Sequence, residues 1–204
     1  MTSSEEPKRE SPRFGHAAVV GAGIAGLSAA IALRRAGWHV EMFERSEFKN
    51  EIGAAITVTP NATLVLDRWG FDKEKAAGLP NLGGRTRLGS NPAVVIQQED
   101  YTDTMDAVGH GIWAFHRVDL HRGLRDLASC SVKDDNSMGP PVEIKLGCQV
   151  MGVDWEQGVV QLAGSQEIKK DLVILADGAQ VRSAAKHTFI CPLQSVTYTF
   201  LRVD

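Results

Sequence analysis

One stretch near the start of the chain constrains its fold more than any other: a glycine-rich turn between two predicted strands. Gly21, Gly23 and Gly26 directly follow an apolar run at 16–20, and they open an amphipathic, Ala- and Leu-rich stretch at 24–36. A second apolar run at 39–43 ends at Glu44. The order strand, glycine-rich turn, helix, strand and acid is typical of a sheet that binds a dinucleotide.

Each glycine of this turn has a physical role in such a site. Gly21 permits the tight turn, Gly23 lets the backbone approach a pyrophosphate, and Gly26 lets the helix pack closely against the strand. The N–H groups at the start of the helix, those of Ile24 and Ala25, carry a partial positive charge that favours phosphate. The sequence therefore predicts a dinucleotide site here.

The acid at the end of the second strand completes this prediction. Glu44 can accept hydrogen bonds from the ribose hydroxyls of an adenosine. A glycine-rich turn in an ordinary α/β domain is the alternative interpretation of the same residues.

Composition narrows the class of protein. A chain of 204 residues fits one domain, or one domain and a fragment of a second. The net charge of −3 gives no reason to expect nucleic acid, and no apolar run approaches the roughly 20 residues that span a membrane. Three widely spaced cysteines predict reduced thiols in a cytoplasmic protein and no metal site. Residues 1–15 are polar and interrupted by proline, so we expect a disordered tail.

The rest of the chain predicts further strands and helices. Strands are expected at 82–88 and 93–98, and a helix is expected at 117–128. The segments at 148–155, 159–162 and 166–168 are expected to form a small β-meander. The nearly pure apolar run at 171–178 is typical of a strand buried on both faces of a parallel sheet. The fold class predicted is α/β, a Rossmann-like sheet with a meander.

Over about residues 17–178 the chain resembles the FAD-dependent aromatic hydroxylases, the salicylate-hydroxylase-like flavin monooxygenases. Four stretches carry the resemblance: Gly21–Gly26 with Glu44-Arg45, Gly53-Ala54-Ala55-Ile56 with Thr59-Pro60-Asn61-Ala62, His116-Arg117-Val118-Asp119-Leu120-His121, and Ala176-Asp177-Gly178. The resemblance covers the N-terminal half of the family's length. It implies an FAD-binding domain at 16–185, a partial substrate-domain insertion at about 80–112, and an irregular, truncated tail at 186–204.

The resemblance also assigns roles to residues. Those implied to hold the FAD pyrophosphate are Gly21, Gly23, Ile24, Ala25, Gly26, Asp177 and Gly178. Arg117 is implied near the diphosphate and ribityl chain, and Gly53, Ala54 and Ala55 are implied beside the flavin. Glu44 is implied at the adenosine ribose, while Arg45 either contacts the adenine side or is a surface residue. No catalytic residue is assigned, and Arg202 is a weak candidate for contact with substrate.

The function implied is that of an FAD-dependent monooxygenase. Such an enzyme takes electrons from NAD(P)H and uses O2 to hydroxylate an aromatic or related small organic substrate through a flavin C4a-hydroperoxide. A catalytically inactive FAD-binding remnant, or a partner subunit of a full-length monooxygenase, is the alternative. An NAD-dependent dehydrogenase is a third hypothesis. Apolar surface left exposed by the short length is expected to bind a protein partner or to lower solubility.

Overall fold

The computed structural model describes residues 15–49, 53–131, 139–154, 156–178 and 199–202, the last range by its backbone alone. Its helices are α1 (Ile24–Arg35), α2 (Pro60–Trp69), α3 (Thr102–Val108) and α4 (Arg117–Ser129). Its strands are β1 (His16–Val20), β2 (His39–Phe43), β3 (Ala55–Val58), β4 (Leu79–Pro80), β5 (Gly83–Leu88), β6 (Asn91–Asp100), β7 (Trp113–His116), β8 (Glu143–Lys145), β9 (Val150–Asp154), β10 (Val159–Leu162), β11 (Glu167–Lys169), β12 (Leu172–Leu175) and β13 (Thr199–Arg202).

The chain divides into two compact units. The first contains Met1–Lys49 and Ala128–Asp204, and the second contains Asn50–Leu127. The insertion predicted at 80–112 lies inside the second unit. The tail predicted at 1–15 lies outside the described residues, apart from Gly15.

A five-stranded sheet in the order β13-β12-β1-β2-β8 forms the centre of the first unit. β1 pairs in parallel with both β2 and β12, and β2 pairs in parallel with β8. Parallel strands are usually buried on both faces, which explains the apolar runs of β1 and β12. The expected Rossmann-like order of strand, helix and parallel strand is present.

The two faces of this sheet are covered by different elements. The side chains of Ala18, Val20 and Phe43 form one buried cluster with the antiparallel meander β9-β10-β11, through residues such as Val160 and Leu162. Because side chains alternate along a strand, the residues between them face the opposite side. Helix α1 contacts β1, β2 and β12, and it buries Leu27, Ala30 and Ile31 completely.

The second unit is built around a three-stranded antiparallel sheet in the order β3-β7-β4 and the separate hairpin β5–β6. The strands predicted at 82–88 and 93–98 are present as β5 and β6. Strand β7 and helix α3 were not predicted, because four and seven residues are too few for a clear periodic pattern. Within the described parts of the chain, every helix is too short or too polar to traverse a bilayer.

The tail prediction for 186–204 needs one correction. Of these residues the structure describes Thr199–Arg202, which form a strand and not an irregular segment. This strand pairs antiparallel with β12, with Arg202 opposite Leu172 and Thr199 opposite Leu175. The edge of β12 presents backbone N–H and C=O groups that need hydrogen-bond partners. A four-residue strand is too short for its sequence pattern to predict this pairing.

Candidate dinucleotide-binding site

The turn between β1 and α1 has a geometry that depends on glycine. Gly21 has a φ of +95°, and a Cβ there would lie 2.4 Å from the carbonyl oxygen of Ala176. Its N–H donates to the carbonyl oxygen of Phe43 at 2.9 Å, which ties the turn to the end of β2. A side chain at this position would be strained and would collide with the backbone after β12.

The start of α1 is close-packed on one side and open on the other. A Cβ on Gly26 would lie 1.9 Å from the carbonyl oxygen of Gly21, whereas a Cβ on Gly23 would meet no atom within 4 Å. Ile24 and Ala25 are half-buried. Among the described residues, no side chain caps this helix and its first turn holds no acid. The backbone N–H groups therefore face open space beside Gly23, where an anion can bind.

Glu44 is held rigidly against this turn. Its Oε2 accepts a hydrogen bond from the N–H of Ala22 at 2.8 Å, and its Oε1 accepts one from the N–H of Ser46 at 2.7 Å. Its own carbonyl oxygen accepts from the N–H of Cys148 at 2.8 Å. Each carboxylate oxygen has a second lone pair, so the oriented group can still accept hydroxyl donors.

The segment after β12 reaches the same place. The N–H of Ala176 donates to the carbonyl oxygen of Val20 at 2.8 Å, which continues the parallel pairing to the first residue of the turn. Asp177 follows, half-buried and with its Oδ1 shielded from solvent. Gly178 is exposed and has a φ of +84°. The carboxyl ends of β1 and β12 therefore meet, as expected for neighbouring parallel strands.

These segments surround one cavity of about 230 Å³. Its lining consists of Val20, Gly21, Gly23, Phe43, Glu44, Arg45, Cys148, Gln149, Val150, Ala176, Asp177 and Gly178. Six of the predicted cofactor residues line the same cavity. Sequence reasoning missed the contribution of Cys148, Gln149 and Val150, since no local pattern marks the start of the meander as part of a site.

Of the other predicted cofactor residues, Ile24, Ala25 and Gly26 form the start of α1 in the first unit. Gly53, Ala54, Ala55 and Arg117 lie in the second unit. The N–H of Arg117 donates to the carbonyl oxygen of Ala54 at 2.8 Å, and Ala55 pairs with His116 across β3 and β7. A Cβ on Gly53 would lie 2.0 Å from Nε2 of His116, whose exposed ring would have to move aside. Arg202 lies opposite Leu172, at the other end of β12 from Asp177, and its contact with substrate stays a prediction.

A charged cluster supports the strands that carry Glu44. In β2, Glu41 accepts a hydrogen bond from Nζ of Lys145 at 2.7 Å and another from Lys170, which is 6% exposed. Burial raises the pKa of the Glu41 carboxyl, but the two ammonium groups outweigh burial and hold that pKa below its usual value. The hydrogen bond to Glu41 in turn raises the pKa of Lys145. These contacts join β2, β8 and Lys170, the residue that directly follows β11.

Comparisons with known proteins place this geometry in a family. The profile of the pyridine nucleotide-disulphide oxidoreductase family matches residues 15–193. The FAD-dependent monooxygenase cfoG of Aspergillus candidus is 37% identical over 183 residues, which are 86% of this chain and 39% of that protein. The 3-amino-4-hydroxybenzoate 2-monooxygenase of Streptomyces cremeus is 32% identical over 164 residues, 79% of this chain and 39% of that protein.

A solved structure gives the same result for the fold. The crystal structure of 2-methyl-3-hydroxypyridine-5-carboxylic acid oxygenase superimposes with a TM-score of 0.67 and 25% identity, covering 84% of this chain and 41% of that one. The chain thus spans about two fifths of the length of these proteins. The predicted Rossmann-like fold and the resemblance to FAD-dependent monooxygenases are both confirmed. The chain belongs to the pyridine nucleotide-disulphide oxidoreductase family, and its relatives are FAD-dependent monooxygenases.

Proposed function

We propose that this chain binds FAD and serves an NAD(P)H- and O2-dependent monooxygenase that hydroxylates an aromatic or related small organic substrate. One observation carries the proposal: the glycine-rich turn, Glu44 and the Asp177-Gly178 segment line a single cavity. The names of the relatives support the reaction class, since one of them is a monooxygenase of an aminohydroxybenzoate.

The residues of the first unit fit the adenosine and pyrophosphate half of FAD. The open space beside Gly23 admits a phosphate to the uncapped N-terminus of α1. Glu44 is fixed by two backbone N–H groups, so its orientation for the ribose hydroxyls costs little on binding. We assign Arg45 to the adenine side of the same cavity.

The residues of the second unit are proposed for the other half of the cofactor. Gly53, Ala54 and Ala55 form a narrow backbone segment beside the first residues of α4, which suits the edge of a flat ring system. The guanidinium of Arg117 supplies donors of the kind that hold phosphate oxygens. Bound FAD would supply the redox chemistry, and these residues would bind and orient it.

The first experiment measures the visible absorption spectrum after incubation with FAD and removal of unbound cofactor. We expect a retained flavin spectrum for the wild type and a loss of FAD affinity of at least about tenfold for Glu44→Ala, since hydrogen bonds to a charged group contribute about 1.5–3 kcal/mol. Glu47→Ala is the matched control, because Glu47 is an exposed acid of the same loop. A wild-type protein that retains no flavin, or a Glu44→Ala variant that binds FAD normally, contradicts the assignment.

A non-catalytic role is the second candidate. The chain spans about two fifths of the length of its relatives, and in this candidate it would bind FAD as a remnant or as the partner of another subunit. NAD(P)H oxidation with O2 consumption, stimulated by a phenolic compound, supports the enzyme. Flavin binding without such turnover supports the second candidate, and tight NAD binding without flavin supports a dehydrogenase.

The cellular location proposed is the cytoplasm. Cys130 and Cys148 are present as thiols in the structure, which fits a reducing compartment. Fractionation of cells with an antibody to the chain tests this location.

A further inference from the structure

The end of strand β8 holds the segment that carries Glu44. The N–H of Glu44 donates to the carbonyl oxygen of Lys145 at 2.9 Å, and the N–H of Cys148 donates to the carbonyl oxygen of Glu44 at 2.8 Å. The N–H of Gly147 donates to the carbonyl oxygen of Ser46 at 3.4 Å. The backbone around Glu44 is therefore fixed by the end of β8 and by the turn that follows it.

The side chain of Lys145 strengthens this attachment. Strand β8 has three residues, and Lys145 lies opposite Phe43 of β2. Nζ of Lys145 donates to Oε2 of Glu41 at 2.7 Å and lies 5.4 Å from the centroid of the Phe43 ring. These distances are those of a charge-assisted hydrogen bond and of a cation–π contact. One ammonium group therefore binds two residues of β2, the second of which directly precedes Glu44.

Phe43 connects this ammonium group with the cavity. Phe43 is 1% exposed, it lines the cavity, and its carbonyl oxygen accepts from the N–H of Gly21 at 2.9 Å. A displacement of Phe43 would therefore move Glu44 relative to the glycine-rich turn. The carboxylate of Glu44 accepts from the N–H groups of Ala22 and Ser46, and such bonds weaken steeply when they are misaligned.

We propose that Lys145 is a positioning residue for the adenosine ribose of FAD and acts through Glu44. The inference rests on the proposed FAD-binding function and adds to it a residue that sets selectivity for the ribose hydroxyls. A carboxylate held in the right orientation rejects a sugar that lacks a hydroxyl, because one of its acceptor sites is then left unpaired. A displaced carboxylate discriminates less well between the two sugars.

The second lysine of the charged cluster distinguishes this role from general support of the sheet. Lys170 also donates to Glu41, but it lies two residues before β12. Because β12, β1 and β2 are parallel, the amino end of β12 lies at the opposite edge of the sheet from Glu44. Removal of the Lys170 ammonium therefore disturbs the same carboxylate without releasing the end of β8.

The first test compares the Kd of FAD with the Kd of an analogue that carries 2′-deoxyadenosine, both measured by quenching of flavin fluorescence. The wild type is expected to prefer FAD by at least about tenfold, because the missing hydroxyl donates to a charged group. Lys145→Met should lower this preference to about threefold or less. Lys145→Arg should restore it, since the guanidinium is also a cation that binds a carboxylate and an aromatic ring.

Two matched variants serve as controls for the ratio of the two Kd values. Lys170→Met removes the other ammonium from Glu41, and Lys169→Met removes an exposed ammonium from β11. Both should keep the wild-type preference for FAD. General destabilisation weakens the binding of both ligands alike and leaves their ratio unchanged, so the ratio reports the position of Glu44.

The second test needs no cofactor. Amide hydrogen exchange, followed by NMR in the FAD-free protein, reports the bonds from the N–H groups of Ala22 and Ser46 to Glu44. Exchange at Ala22 should be about fivefold faster in Lys145→Met than in the wild type, and it should be unchanged in Lys169→Met.

Three results would overturn the positioning role while FAD binding stands. They are a wild-type preference for FAD in Lys145→Met, an equal loss of preference in Lys170→Met, and unchanged exchange at Ala22 in Lys145→Met. A wild type that retains no flavin overturns the proposed function and this role together, so the flavin spectrum of the wild type distinguishes the two failures.

Discussion

Substitutions at two glycines of the β1–α1 turn are expected to have different effects, one mainly on the stability of the fold and the other mainly on the affinity for FAD. Gly26 lies where the helix contacts the turn, and a Cβ there would approach the carbonyl oxygen of Gly21 to 1.9 Å. Gly23 has a φ of −70°, which any residue adopts, and a Cβ there would meet nothing within 4 Å. The same substitution, glycine to alanine, therefore probes two different roles.

The magnitudes follow from this geometry. Alanine in a helix interior gains about 1 kcal/mol over glycine in propensity, but overpacking of a close contact costs about 1–3 kcal/mol. The contact in question is with rigid backbone, so the cost should be at the upper end, and we expect Gly26→Ala to lose about 1–2 kcal/mol of stability. Gly23→Ala should change stability by no more than about 0.5 kcal/mol, since a small N-cap penalty is offset by a less flexible unfolded chain.

For FAD affinity, Gly23→Ala is expected to be the damaging substitution, although it hardly changes the stability of the fold. In Gly23→Ala the new methyl group occupies the space that we assign to the pyrophosphate, so we expect at least about a tenfold loss of FAD affinity, 1.4 kcal/mol. Urea unfolding gives the stability, and quenching of flavin fluorescence gives the affinity. A Gly23→Ala variant that binds FAD like the wild type, or a Gly26→Ala variant that unfolds at the wild-type urea concentration, would contradict these two roles.

Two further predictions concern buried charges of the first unit. Glu41→Gln leaves the nearly buried Lys170 without its carboxylate and should cost about 2–4 kcal/mol in urea unfolding, whereas Glu143→Gln, at a mostly exposed acid, should cost less than about 1 kcal/mol. Because folding lowers the pKa of Glu41 below 4.5, its contribution is full above that pH and is lost as the pH falls through the folded value, so Glu41→Gln should flatten the loss of stability in acid. Arg34 donates hydrogen bonds to the carbonyl oxygens of Ala128, Cys130 and Gly139. Arg34→Met should therefore lower the free energy of unfolding by about 2–4 kcal/mol. An unchanged unfolding midpoint in urea would contradict this prediction.

The start of the chain could be predicted well because its signals are local. Strand β1, the turn, helix α1 and strand β2 occupy consecutive residues, and each is marked by periodicity or glycine within a few positions. The meander was predictable for the same reason, since its strands follow one another through short turns. Strand β7 was not, because its four residues pair with β3 and β4, whose positions the local pattern does not encode.

Some residues that line the cavity could not be predicted from local sequence patterns. Cys148, Gln149 and Val150 line it with Glu44, although about a hundred residues of chain separate them. They reach it because β8 pairs with β2, and because the N–H of Cys148 donates to the carbonyl oxygen of Glu44. Pairing between distant strands depends on the whole sheet, so the sequence pattern around residue 148 does not predict that these residues line a cavity.

The glycine-rich turn, the strand that ends at Glu44 and the class of fold could be predicted from the chain alone, because they depend on the steric freedom of glycine and on hydrophobic periodicity over short stretches. Which distant segments contact one another became clear from the three-dimensional arrangement of the strands. It brings the carboxyl ends of β1 and β12 together at Gly21 and Ala176, and it leaves every residue of β6 exposed. Burial and strand pairing depend on contacts between distant segments, and neither segment alone determines the free energy of these contacts.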